Sequence, residues 1–186
     1  MRILGISGSL RRDSHNTELL RAAASVLPSG VEFELYDGLR EIPPYDEDSR
    51  DTGEAPEVTH LKERIAAADA VLFATPEYNH SIPGQLKNAM DWVSRPLADT
   101  PLKGKPVAVI GASTGMFGAV WAQAELRKVL GAIGAKVIDR ELPVPMADEI
   151  VRDREKLESS GTHSLIVGIL AELLEAAGSV QAAAAA

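Results

Sequence analysis

Short apolar runs alternate with segments of helical spacing along most of the chain. The run at 2–6 is almost wholly apolar, which is typical of a strand covered on both faces. Residues 32–36 instead alternate between apolar and polar positions and predict a second strand. Three later apolar runs predict strands at 70–74, 106–110 and 136–138.

Helical spacing fills the intervals between these strands. Apolar residues at i, i+3, i+4 and i+7 occur, for example, at Leu86, Ala89, Met90 and Val93. The predicted helices lie at about 16–27, 58–68, 83–93, 126–133 and 162–177. The Pro- and acid-rich stretch 37–56 has little periodicity and is predicted as a long loop. Regular alternation of strand and helix predicts an α/β domain, with a parallel sheet between two layers of helices.

Composition narrows the classes of function. The formal net charge of −8 argues against a general nucleic-acid binder, and the lack of cysteine excludes disulfides and thiolate chemistry. The four histidines show no ligand spacing, so no metal site is predicted. We expect one domain over 1–180, with 181–186 as a disordered tail. No signal-peptide pattern and no run approaching a membrane span are apparent, so we expect a cytoplasmic protein without membrane contact.

Three unusual segments follow predicted strands one, three and four: SGSLRRDSHN (7–16, the first loop), TPEYNHSIPG (75–84, the second loop) and GASTGMFG (111–118, the third loop). Ligands of doubly wound sheets bind outside the carboxyl ends of the strands, where the strand order reverses. We therefore expect the three loops to converge on one ligand, provided that the strand order brings them to the same rim.

The first loop is rich in donors for an anion. It leads into a helix N-terminus and carries Ser9, Ser14, Asn16 and the guanidinium of Arg11. Helix capping explains one or two of these residues but not all of them, so the loop predicts a bound phosphate. Neither GxxxxGK[ST] nor G-x-G-x-x-G is present. Asp37 follows predicted strand two, the position at which a Rossmann fold carries the acid that binds a ribose. A Rossmann fold therefore remains one interpretation, and the other is that Asp37 and Gly38 form a simple turn.

The second and third loops suit a planar ring rather than a catalytic side chain. Pro76 and Tyr78 offer flat apolar surface, and the glycines of the third loop allow the backbone to approach a ligand closely. A Glu77–His80 acid–base pair is a weaker alternative. A phosphate cradle and a ring slot without an obvious nucleophile or base indicate a bound cofactor that performs the chemistry itself.

The stretches GSLRRDSHN, PEYNHSIPGQLKNAMDW and GASTGMFG…WAQAELRKVL resemble the NADPH-dependent FMN reductase family. This flavodoxin-like group includes quinone, chromate and azo-dye reductases, and the resemblance covers about 2–145. It implies a five-stranded parallel sheet in the order 2-1-3-4-5, with helices on both faces. It also implies FMN as cofactor, NADPH or NADH as electron donor, and a homodimer or homotetramer.

The resemblance also assigns roles by position. It implies that the FMN phosphate is held by Ser9, Arg11, Ser14 and Asn16, with Thr17 at the helix start. It implies that the isoalloxazine ring is lined, mostly through backbone groups, by Pro76, Glu77, Tyr78 and Asn79. It places Ser113, Thr114 and Gly115 at the pyrimidine side of the flavin. No catalytic side chain is assigned, because flavin N5 carries the chemistry.

The expected function is transfer of electrons from NAD(P)H through FMN to a quinone, azo compound, chromate or similar small molecule. One alternative is a flavodoxin-type carrier that binds FMN without using NAD(P)H, and another is a flavin-free regulatory or nucleotide-binding module. Members of the family often carry a second glycine and an arginine shortly after Gly118, where this chain has Ala119, Val120 and Trp121. Trp121 is interpreted either as an interface or ring-stacking residue or as a helix-packing one. The choice between NADH and NADPH stays open, since no arginine can be assigned to a 2′-phosphate.

Overall fold

The sheet contains all five predicted strands and one more. The computed structural model describes residues 1–184. Its strands are β1 (Arg2–Ser7), β2 (Glu32–Tyr36), β3 (Ala70–Thr75), β4 (Pro106–Ala112), β5 (Lys136–Val137) and β6 (Pro143–Val144). The parallel order is β2-β1-β3-β4-β5, as predicted, and β6 also pairs with β4 in parallel.

Eight α-helices connect and cover the strands within the described residues. They are α1 (His15–Ser25), α2 (Glu47–Thr52), α3 (Pro56–Ala67), α4 (Gly84–Val93), α5 (Val120–Ile133), α6 (Ala147–Ile150), α7 (Arg154–Ser159) and α8 (Thr162–Ala184). Two 3₁₀ turns lie at Gly38–Glu41 and Leu97–Asp99. The chain is therefore an α/β sandwich with helices on both faces of the sheet.

Each face of the sheet has its own apolar core, because successive strand residues point to opposite sides. Leu4 and Phe73 lie in the core that α3, α4 and α5 cover. Ile3 and Leu72 lie in the opposite core, which α1 and α8 cover. Burial on both faces explains why the central strands read as continuous apolar runs.

Register brings the three loops to one edge of the sheet. Ser7 pairs with Ala74 across β1 and β3, and Thr75 pairs with Gly111 across β3 and β4. Since all of these strands are parallel, the first, second and third loops leave the sheet side by side. The expectation that they share a rim is confirmed.

The structure departs from the predictions in the less periodic segments. The stretch 37–56, predicted as loop, contains the Gly38–Glu41 turn and α2, which begins at an Asp46 side-chain cap. Residues 181–184, predicted as disordered tail, continue α8, while 185–186 fall outside the described residues. The segment after β5 also forms β6, α6 and α7, none of which was predicted.

The last helix also corrects the expectation that no segment approaches a membrane span. Over Thr162–Ala183 its mean hydropathy reaches 1.5, and by length and composition it could cross a bilayer. The core helix of a globular protein passes the same test, and the stripe of Ile166, Ile169 and Leu173 packs in the core beside β4. One face of the helix therefore packs against the sheet, while only 28% of its apolar window is buried.

Candidate functional site

The three loops line one open cleft of about 440 Å³ at the carboxyl edge of the sheet. Its walls are Ser9, Arg11, Ser14, His15, Asn16, Pro76, Glu77, Tyr78, Ala112, Ser113 and Thr114. The predicted residues that do not line it are Thr17, Asn79 and Gly115. His15 and Ala112 line it without having been predicted.

Hydroxyl groups brace the first loop where it enters α1. Ser14 is the N-cap, and its side chain accepts a hydrogen bond from the Thr17 N–H at 3.2 Å. The Thr17 hydroxyl in turn donates to Ser7 Oγ at 2.9 Å. Gly8 donates its N–H to the carbonyl of Ala74 at 2.8 Å, which ties the loop to β3. Thr17 therefore shapes the cradle from behind rather than from within the cleft.

Asn16 joins the first loop to the end of β4. Its amide nitrogen donates to the Ala112 carbonyl, and its amide oxygen accepts from the Ala112 N–H, both at 2.9 Å. The side chain is only 3% exposed. The predicted phosphate donor is thus largely engaged in holding two walls of the cleft together.

His15 is a wall residue that sequence reasoning missed. It is 7% exposed, and its Nε2 lies 2.8 Å from Asp148 Oδ1 of α6. Its Nδ1 is buried and has no hydrogen-bond partner among the described residues. A buried ring nitrogen without a partner is costly in free energy, so His15 leaves one polar group of the cleft wall unsatisfied among the described residues.

A tight turn forms the tip of the second loop. Tyr78 and Ser81 exchange backbone hydrogen bonds of 3.0 and 3.1 Å. The two central residues, Asn79 and His80, have φ of 53° and 60°, the combination that a two-residue type I′ turn requires. Asn tolerates this conformation well, so Asn79 builds the turn and lies outside the cleft wall.

Glu77 connects the second loop to the start of α5. One carboxylate oxygen accepts the backbone N–H groups of Trp121 at 3.0 Å and Ala122 at 3.1 Å. Ala119, the residue before α5, has no side chain that could cap the helix. The Glu77 carboxylate caps the helix instead, from the second loop. Its other oxygen lies 3.7 Å from Nδ1 of the exposed His80, the geometry of a loose ion pair.

The unpredicted β6–α6 segment supports the third loop. Ser113 donates its N–H to Val144 and accepts at its carbonyl from Ala147, at 3.1 and 3.0 Å. The Gly115 carbonyl accepts from Met146 at 3.1 Å. Gly118 has φ of 58°, and a Cβ there would lie 2.5 Å from the backbone of the same segment. Gly115 therefore anchors the loop from outside the cleft wall.

Aromatic side chains gather at the rim of the cleft. The ring of Trp121, which is 40% exposed, lies 4.6 Å from that of His80 and 4.9 Å from that of Phe117, both edge to face. Phe117 is 58% exposed and Tyr78 is 50% exposed. Trp121 thus belongs to an exposed aromatic cluster and not to the core beneath α5.

The cleft suits a ligand with an anionic end and a flat end. The first loop contributes serine hydroxyls, the start of α1 and the Arg11 guanidinium, which has no partner among the described residues. The second loop contributes the apolar surface of Pro76 and Tyr78. These donors and this apolar surface fit the phosphate and the ring of FMN.

Comparison with known proteins agrees with this description. The profile of the NADPH-dependent FMN reductase family matches residues 1–149. The chain is 51% identical to an NAD(P)H-dependent FMN reductase from Pseudomonas aeruginosa over 130 residues, which cover 70% of this chain and 69% of that one. It is 39% identical to a quinone reductase of Escherichia coli K12 over 141 residues, covering 75% of this chain and 74% of the relative.

A solved structure extends the similarity to almost the full length. The flavoenzyme NAD(P)H:(acceptor) oxidoreductase FerB from Paracoccus denitrificans superposes with a TM-score of 0.80 at 34% identity. The superposition covers 94% of this chain and 97% of FerB. Family profile, relatives and fold agree, and the chain belongs to the NADPH-dependent FMN reductase family.

Proposed function

We propose that this protein binds FMN in the three-loop cleft and uses it to transfer electrons from NAD(P)H to a quinone or a similar flat acceptor. The observation that carries the proposal is the convergence of the phosphate-type first loop with the apolar second loop in one cleft. FMN held in this cleft would supply the redox chemistry, a two-electron exchange between the nicotinamide and the acceptor.

The residues of the chain bind and orient the reactants. Arg11, Ser9 and Ser14 surround the phosphate end, where a charge-assisted hydrogen bond from the guanidinium adds most to affinity. Pro76 and Tyr78 face the ring, and the half-exposed Tyr78 leaves the cleft open to solvent. An open ring face is what a second flat molecule needs to stack on the flavin.

The aromatic cluster at the rim has a place in this proposal. Trp121, Phe117 and Tyr78 expose a patch of large apolar surface beside the cleft. Exposed aromatic clusters mark surfaces that contact ligands or other chains. We assign this patch to a homo-oligomer contact that borders the site, and we place the protein in the cytoplasm, where NAD(P)H is available.

Steady-state oxidation of NAD(P)H separates this function from that of a flavodoxin-type carrier. FMN-loaded protein is mixed with NADPH or NADH and benzoquinone, with no reductase partner present. The proposal expects nucleotide oxidation that requires both the protein and the quinone. A protein that binds FMN yet oxidises neither nucleotide would be an electron carrier. A protein that binds no FMN would be neither a reductase nor a carrier of this kind.

A further inference from the structure

A second pocket, which we call the acidic pocket, lies at the carboxyl end of β2. The Gly38–Glu41 turn forms one side of it and the first turns of α3 form the other. Its walls are Tyr36, Asp37, Gly38, Glu41, Glu57 and His60. None of these residues lines the three-loop cleft, so the acidic pocket is a separate site.

The acidic pocket holds three carboxylates, those of Asp37, Glu41 and Glu57, without a counter-ion. Among the described residues, no lysine or arginine lines the pocket, and none of the three carboxylates takes part in a hydrogen bond or an ion pair. Asp37 occupies the N-cap position of the turn, yet its side chain makes no capping hydrogen bond. The pocket therefore concentrates negative charge that the described part of the chain does not neutralise.

A buried hydroxyl adds a further unpaired group to the same wall. Tyr36 is 5% exposed, and its hydroxyl has no hydrogen-bond partner within the part of the chain that the structure describes. Burial, and after it the charges of the three carboxylates, raises the pKa of Tyr36 to about 12, so the hydroxyl lies where their fields combine. A Cβ at Gly38 would lie 2.7 Å from the hydroxyl oxygen, so the turn reaches this group only because residue 38 has no side chain. Unneutralised carboxylates and an unpaired hydroxyl both favour a cation that donates hydrogen bonds.

The arrangement suits an organic cation better than a metal ion. Within the described residues, no three carboxylates or imidazoles lie close enough together to hold one metal ion. Carboxylates that are too far apart for one ion can be met by separate ammonium groups on one molecule. The rings of Tyr36 and His60 lie 5.9 Å apart and are tilted by only 32°, which provides apolar surface for an alkyl chain and a π face for an ammonium.

We propose that the acidic pocket binds an alkyl diammonium, with one ammonium at the carboxylates of the Gly38–Glu41 turn and the other at Glu57 of α3. Its alkyl chain lies against the rings of Tyr36 and His60. The proposal goes beyond the function proposed above and does not depend on it, because the two sites share no wall residue.

Calorimetric titration of FMN-loaded protein with putrescine (1,4-diaminobutane) tests the proposal. We expect one saturable site per chain, and we expect 1-butylamine, which has a single ammonium, to bind roughly tenfold more weakly. Glu41→Gln and Glu57→Gln should each weaken the binding of putrescine by roughly fivefold, because each removes one charged acceptor. Tyr36→Phe, which removes only the hydroxyl, should weaken it by roughly threefold.

Glu63→Gln is the matched control. Glu63 is exposed on the same helix as Glu57 but does not line the acidic pocket. The substitution changes the net charge by the same amount, and at physiological salt it should leave the affinity for putrescine within about twofold. The FMN dissociation constant of every variant should stay that of the unaltered protein, which shows that the fold is intact.

The proposal is overturned if putrescine shows no saturable binding, or if Glu57→Gln weakens binding no more than Glu63→Gln does. The second result would mean that the acidic chain attracts cations without a defined site. Displacement of putrescine by an equal concentration of Mg²⁺ would also overturn it, since the pocket would then be a metal site. None of these results bears on the proposed function, which the oxidation of NAD(P)H tests separately.

Discussion

Replacing Asn16 by alanine tests whether the first loop and β4 must be held together for FMN to bind. The side chain is 3% exposed and makes two 2.9 Å hydrogen bonds to the backbone of Ala112. Each bond is worth about 1 kcal/mol net, and the Ala112 groups left behind add a desolvation penalty. We expect Asn16→Ala to lower the free energy of unfolding by about 2–4 kcal/mol.

Asn88→Ala is the matched control. Asn88 also binds backbone through both ends of its amide, to the Pro43 carbonyl at 2.8 Å and the Tyr45 N–H at 2.7 Å. It lies on α4 and does not line the cleft. Both variants should therefore lose stability, but only Asn16→Ala should weaken FMN binding, by about tenfold, or about 1.4 kcal/mol.

Two titrations measure these effects. Urea unfolding of the apoprotein is followed by tryptophan fluorescence, to which buried Trp92 contributes, and FMN binding is followed by quenching of flavin fluorescence. Equal loss of FMN affinity in both variants would mean that general destabilisation is responsible. Unchanged stability in Asn16→Ala would mean that the bridge to Ala112 contributes nothing, and the reasoning would be refuted.

Three further predictions concern single side chains. Arg11→Ala should weaken FMN binding by on the order of 1.5–3 kcal/mol, through loss of a charge-assisted hydrogen bond to the phosphate, and an unchanged titration would show that the phosphate lies elsewhere. Glu77→Ala should lower the free energy of unfolding by about 1 kcal/mol, because α5 loses its cap. Glu77→Gln keeps a hydrogen-bond acceptor and should lose less stability. Equal losses of stability in urea unfolding would contradict the capping role. Burial, together with nearby Asp37 and Glu41, raises the pKa of Tyr36 from 10.0 to about 12. Its contribution to stability is therefore full below pH 10 and falls by about 2 kcal/mol as the pH rises to 12. Tyr36→Phe should abolish this part of the decline in stability. It should not destabilise the protein at pH 7, because the Tyr36 hydroxyl is buried without a partner among the described residues. A decline as steep as in the unaltered protein would refute the assignment.

The fold was readable from the sequence wherever packing imposes a simple pattern. β1 and β4 are buried on both faces, so their apolar runs identified them and placed the adjoining loops. β2 was predicted with its observed bounds, because its partly exposed position gives an alternating pattern. The three-loop rim followed from the order of these strands.

The segment after β5 could not be read in this way. β6 has only two residues, and it is a strand because Pro143 and Val144 pair with Gly111 and Ala112 of β4. Elements this short carry no periodicity, and they form through contacts with distant parts of the chain. The support of the third loop was missed for that reason.

Among the site residues, sequence reasoning found residue types but not always their contacts. Asn16 and Glu77 line the cleft, and the contacts that sequence reasoning did not foresee are those of their side chains with Ala112 and with the start of α5. His15 was missed because a lone histidine has no motif, and only its burial beside the cleft distinguishes it.

Anaerobic reduction of the bound flavin tests the central claim most directly. FMN-loaded protein, freed of excess cofactor, is mixed with NADPH in the absence of oxygen while its visible absorbance is recorded, and benzoquinone is then added. The account predicts that the yellow absorbance of the oxidised flavin is lost on addition of NADPH and returns on addition of the quinone. Flavin that stays bound and oxidised in the presence of both NADPH and NADH would contradict it.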